Sequence, residues 1–151
     1  MFLRPVVLAL TLLSIVPTLK AADDAWWGTW KLNIQKSIFN PGPPYRSNTH
    51  IYQPWGTNGM KATAHVVTAD GKNIDFTYAV KYDGKYYPVN GDPTRDLTSL
   101  RRVDAYTFVG SNKKNGKVVT SSRHVLSKDG RTIVVTIEGR GIHYVRVYEK
   151  Q

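Results

Sequence analysis

The sequence predicts an all-β protein: a single antiparallel up-and-down (meander) β-barrel of about ten strands. Four turn pairs, Asp70-Gly71, Asp83-Gly84, Asn115-Gly116 and Asp129-Gly130, punctuate the chain, and such dipeptides accept the positive φ angles of tight hairpins. The segments between them are rich in Val, Ile, Thr, Tyr and Phe, and most are one strand long. No segment after residue 21 shows the apolar period of a helix. A meander of this length hides its edges most easily by closing on itself. A closed barrel has an inside, so the functional question is what that inside holds.

Residues 1–21 are expected to be a secretory signal peptide and residues 22–151 the barrel domain. Arg4 gives a short positive region, Pro5 to Pro17 is apolar except for Thr11 and Ser14, and Ala21-Ala22 supplies small residues for cleavage. The run is too short and too weakly flanked for a spanning helix. The chain has no cysteine, so neither a disulfide nor a lipidated cysteine holds it. An exported protein without disulfides rests on its core alone, which fits a bacterial envelope or secreted protein.

The first strand opens at Ala25-Trp26-Trp27-Gly28-Thr29-Trp30-Lys31-Leu32, with Gly28, Trp30 and Leu32 on one face. Residues 34–46 contain Pro41-Gly42-Pro43-Pro44 and read as a loop. Strands follow at 47–53, 60–68 and 73–81. In the last of these, Ile74, Phe76, Tyr78 and Val80 alternate cleanly against Asp75, Thr77, Ala79 and Lys81. A short strand at 85–89 ends at the Asn90-Gly91-Asp92-Pro93 turn, and five more follow at 98–103, 106–112, 117–126, 132–138 and 142–149. Periodicity leaves the last strand open: Ile142, Tyr144, Arg146 and Tyr148 on one face and His143, Val145 and Val147 on the other are both mixed.

Without Arg4 and Lys20, the 21 basic residues fall to 19 against 11 acidic ones, a net charge of +8 for residues 22–151. These charges are scattered, with no basic stripe carrying interleaved aromatics, and read as solubility rather than as a nucleic-acid footprint. His50, His65, His124 and His143 fall on four different strands without carboxylate or cysteine partners at ligand spacing. They read as solvated strand histidines, so no metal and no cofactor is expected. Neither a Gly-x-Ser-x-Gly elbow nor a phosphate-binding loop is present, and no catalytic residue is assigned. Asp92 and Asp96 are expected to serve their own turn.

Gly28-Thr29-Trp30-Lys31-Leu32 resembles the Gly-x-Trp opening of the calycin superfamily, the lipocalins and fatty-acid-binding proteins. Arg146-Val147-Tyr148-Glu149-Lys150 resembles the closing Arg-x-Tyr-Glu-Lys of the fatty-acid-binding proteins. The resemblance covers nearly the whole of residues 22–151 and is most similar to secreted bacterial lipocalin-like proteins. It implies that Arg146 and Tyr148 bind a ligand carboxylate, with Arg123 in the place of a second carboxylate-binding arginine. It also implies that Gly28 and Trp30 close one barrel end. The chain departs from the fatty-acid-binding proteins in its export signal and in having only a proline-rich loop where they carry a helical lid.

An arginine inside an apolar barrel is costly unless its charge is met, which is what a carboxylate would do at Arg146. The apolar part of the ligand would then lie against Phe76, Tyr78, Phe108, Ile133, Val135 and Ile137. A structural role competes: Arg146 or Arg140 stacked over Trp30 would close the barrel with no ligand. Two functions follow. One is an exported monomer that binds a small hydrophobic or amphipathic anion and neither inserts in a membrane nor binds nucleic acid. The other is a filled barrel, packed by Trp30, Tyr144 and aliphatics, that acts as an envelope protein-interaction or inhibitor module and meets an acidic partner with its basic rim and the Pro41–Pro44 loop.

Overall fold

A computed structural model describes residues 25–151, so the expected leader lies outside the described residues. Ala25 and Trp26 have helical backbone. Ten strands follow: β1 (Gly28–Asn40), β2 (Ser47–Pro54), β3 (Gly59–Val67), β4 (Asn73–Lys81), β5 (Asp83–Asn90), β6 (Leu97–Asp104), β7 (Thr107–Lys114), β8 (Lys117–Leu126), β9 (Thr132–Gly139) and β10 (Ile142–Lys150). Each pairs antiparallel with its sequence neighbours, and β10 returns to β1 to close the barrel. In such a meander successive hairpins fall at alternate ends. The β2–β3, β4–β5, β6–β7 and β8–β9 turns gather around Ala25, the first described residue. The β1–β2, β3–β4, β5–β6, β7–β8 and β9–β10 connections gather at the opposite end.

Residues 34–40 correct the sequence reading, because they are strand and not loop. β1 pairs with β10 on both sides of a bulge between Asn33 and Ile38, with Phe39 opposite Tyr144 and Asn40 opposite His143. The bulge is held locally: Ser37 Oγ donates to the Asn33 carbonyl at 2.6 Å and accepts the Val147 amide at 3.0 Å. A bulge shifts the two-residue alternation partway along a strand, which hides that strand from a periodicity argument. The expected Asp83-Gly84 hairpin turn is not there: the chain bends at Tyr82, Asp83 and Gly84 already belong to β5 with Asp83 opposite Arg101 of β6, and β4 and β5 pair only at Thr77–Asn90 and Tyr78–Val89.

The end near Ala25 is a packed plug. Trp26, Trp30, Phe108, Leu126 and Ile133 are buried almost completely. Trp30 Nε1 donates to the Trp26 carbonyl at 2.8 Å, so the indole keeps its hydrogen bond while its rings are removed from water. Phe108 lies between Trp26 (4.7 Å) and Tyr82 (4.4 Å), and the half-buried Arg102 guanidinium stacks on Tyr82 and Phe108 from the same interior face.

The cation over Trp30 is Lys150, 5.2 Å from the ring, with its ammonium donating to the Ala25 carbonyl at 2.9 Å. The expected Arg146 or Arg140 is not there, and register explains why. Trp30 stands opposite Lys150 on β10, Arg146 lies farther along the strand, and Arg140 belongs to the turn at the other end. Gly28 adopts φ +123°, where a side chain is strained, and a Cβ there would lie 3.3 Å from the Lys150 stem.

Candidate functional site: a cavity above the plug

Above the plug the barrel encloses a cavity of about 330 Å³, at the small end of the range for small-molecule sites. The interior is therefore not filled. Tyr144 lines the cavity instead of packing it shut. Strand alternation determines what faces it. From β10 come Ile142, Tyr144, Arg146 and Tyr148, which resolves the face that periodicity left open. β4 contributes Ile74, Phe76 and Tyr78, β9 contributes Val135 and Ile137, and β2 contributes Asn48, His50 and Tyr52.

Arg146 is held among aromatic rings. Its guanidinium lies 4.9 Å from the Tyr45 ring, 5.2 Å from Tyr144 and 5.9 Å from Phe39, and it donates to the Tyr45 hydroxyl at 3.1 Å. No carboxylate pairs with it among the described residues, and its Nε has no hydrogen-bond partner among them. Tyr148 stands two residues along the same face, deeply buried, and accepts a hydrogen bond from Asn48 Nδ2 at 3.0 Å. Burial pushes its hydroxyl up to about 12 although Arg146 pulls the other way. Tyr148 is therefore a neutral donor at every physiological pH.

The second arginine of the cavity is Arg95, which the sequence reading missed. It comes from the β5–β6 connection, lies over Phe76 (5.0 Å) and Tyr78 (5.3 Å), and pairs with Asp92 at 2.9 Å. Its Nη1 donates to Asn112 Oδ1 at 2.8 Å, and Asn112 in turn donates to Thr120 at 2.9 Å. Asp92 also accepts the Thr94 amide and hydroxyl, the local turn role expected of it. The two side chains are 16% and 11% exposed, so Arg95 is a compensated charge on the cavity wall. Arg146 is an uncompensated one.

Two of the histidines expected to be solvated are interior. Burial, reinforced by Arg146 and Arg95, lowers His50 to about 3, and burial with the same two arginines lowers His124 to about 4. His50 shares a hydrogen bond with Tyr52 at 3.2 Å, and His124 with Ser122 at 3.1 Å. Both rings are neutral at pH 7, so the histidines add no charge to the cavity.

The structure thus brings together Arg146, Tyr148, Phe76 and Tyr78 of the residues predicted from sequence, with Val135 and Ile137. It does not bring in Arg123, which is exposed on the outer face of β8 beside Val109 and Thr136 while its neighbour His124 takes the inner face. Phe108 and Ile133 belong to the plug, and so does Trp30. Asn48, His50, His124 and Arg95 carried no sequence signal, because polar residues occur on both faces of their segments.

No family model and no curated protein sequence matches the chain. Solved structures do. The fluorescent protein UnaG superposes with a TM-score of 0.59 at 16% identity, over 85% of this chain and 98% of that one. Fatty-acid-binding protein 1 of Echinococcus granulosus gives 0.58 at 17% identity, over 84% and 98%. A Schistosoma mansoni fatty acid binding protein in complex with arachidonic acid gives 0.61 at 13% identity, over 85% and 97%. At these identities the likeness concerns architecture, and the chain has the calycin-type barrel fold that these proteins share.

Proposed function

We propose that this protein is an exported, monomeric binding protein that holds a small amphipathic anion inside its barrel. The anionic group meets Arg146 and the Tyr148 hydroxyl, and the apolar part lies against Phe76, Val135 and Ile137. One observation carries the reading: Arg146 faces the cavity without a carboxylate among the described residues, whereas Arg95 on the same wall has Asp92. A desolvated guanidinium favours an anion that can accept two hydrogen bonds at once. The Schistosoma mansoni fatty acid binding protein, which has this architecture, is in complex with arachidonic acid, and that supports the reading.

The site reads as one for binding rather than turnover. A general base works best with a pKa near the operating pH, and His124 at about 4 is a weak one beside Ser122. Export, to the periplasm or outside the cell, rests on the leader-like residues 1–21. Native mass spectrometry of the protein recovered from its host reads cleavage, stoichiometry and any retained small molecule together.

The direct test is titration of the delipidated protein with a fluorescent fatty acid. Saturable binding is expected, weakened about tenfold or more by Arg146→Ala, because a lost charged hydrogen bond costs ~1.5–3 kcal/mol. An absence of saturable binding, or equal binding by the variant, rejects the reading.

A further inference from the structure

Resting on that anion-binding reading, we infer that the occupant carries a hydrogen-bond donor close to its anionic group, as a hydroxy acid does, and that Asn48 Oδ1 receives it. Asn48 is 1% exposed and lines the cavity. Its Nδ2 is committed to the Tyr148 hydroxyl, but its Oδ1 has no hydrogen-bond partner among the described residues. Buried polar atoms in native structures are almost always satisfied, and an unfilled acceptor is costly.

Arg146 stands two residues away on the same face, near enough to act on the ionisation of Tyr148, and offers an unpartnered Nε–H. One tyrosine is thus flanked by a group that needs a donor and a group that needs an acceptor. His50 completes the arrangement. Its ring lies 5.1 Å from the Tyr148 ring, its Nδ1 is shared with Tyr52, and its Nε2 is unpartnered and buried.

A plain alkyl carboxylate supplies acceptors alone. It answers Arg146 and leaves Asn48 Oδ1 shut away from water. A hydroxyl on the first or second carbon beyond the carboxylate is the donor assigned to the amide, with the carboxylate on the guanidinium. The hydroxyl donates to Asn48, and its own oxygen remains free to accept. Selectivity follows because a pocket built around polar groups penalises an analogue that leaves them unpaired.

The test is calorimetric titration of the delipidated wild-type chain with dodecanoate, 2-hydroxydodecanoate and 3-hydroxydodecanoate. At least one hydroxy acid is expected to bind about tenfold tighter than dodecanoate. In Asn48→Leu that ratio is expected to fall to about one, whatever the affinity of the variant for dodecanoate itself. Dodecanoate binding as tightly as both hydroxy acids overturns the donor inference and leaves the anion site standing. Failure of all three to saturate overturns the anion site itself. A ratio that persists in folded Asn48→Leu overturns the assignment to Asn48. If that variant does not fold, the three-probe comparison on the wild-type chain still decides whether the donor matters.

Discussion

Where Trp26, Trp30, Tyr82 and Phe108 meet, ring packs on ring, and the cations there, Arg102 and Lys150, are held against aromatic faces. Toward the other end of the same barrel, Arg95, Arg146, His50, His124, Asn48 and Asn112 are turned inward around open space. The same ten strands run through both regions, so the difference lies in which residues alternate inward at each level. Apolar area and close packing stabilise the first region. The second gives up that stabilisation, because burying unpaired polar groups costs free energy. Such a cost makes physical sense where a ligand supplies the missing partners.

The comparison is broken first at the plug. Trp30→Ala removes a large, fully buried side chain and is expected to cost about 3–5 kcal/mol. Urea unfolding checks this, and a loss below about 1 kcal/mol would mean that the plug does not hold the fold.

Acid probes the cavity next. An unfolded histidine takes up its proton near pH 6.5, while His50 stays neutral to about 3 and His124 to about 4 in the folded chain. Between these values the unfolded state binds more protons, so stability is complete above pH 6.5 and falls as the pH falls through this window. The slope approaches about 1.4 kcal/mol per pH unit for each histidine. Unfolding measured from pH 7 to 4.5 should show that decline, and His50→Gln should flatten part of it. A stability independent of pH over this range would contradict the buried, neutral rings.

The smallest effect is expected at the plug's cation. Lys150→Met gives up the contact over Trp30, worth about 0.5–1 kcal/mol where the cation is partly solvated. Thermal unfolding with and without salt reads it, and no change would assign the sealing of Trp30 to packing alone.

The barrel and its closed end were legible because they depend on local chemistry. Turn dipeptides, the alternation of Ile74 to Val80 and the Gly28–Trp30 opening each declare themselves within a few residues. The cavity was half legible. Arg146 and Tyr148 stand out through the closing motif, but the second arginine on the cavity wall is Arg95 and not the expected Arg123. Those two differ by one step of strand alternation and by a turn that folds into the barrel, neither of which composition reports. Asn48, His50 and His124 were illegible for a related reason. On a strand with polar residues on both faces, only the register of the closed barrel determines which of them loses its water.

The central claim is that Arg146 serves a ligand and not the fold, and Arg146→Met tests it by reading stability and binding on one protein. Replacing an unpaired buried charge with an apolar side chain of similar length is expected to leave the thermal midpoint of the ligand-free protein unchanged or higher. Affinity for the fluorescent fatty acid is expected to drop by about tenfold or more. A variant that binds as well as the wild type, or that loses about 3–5 kcal/mol as a broken internal ion pair would, would contradict the account.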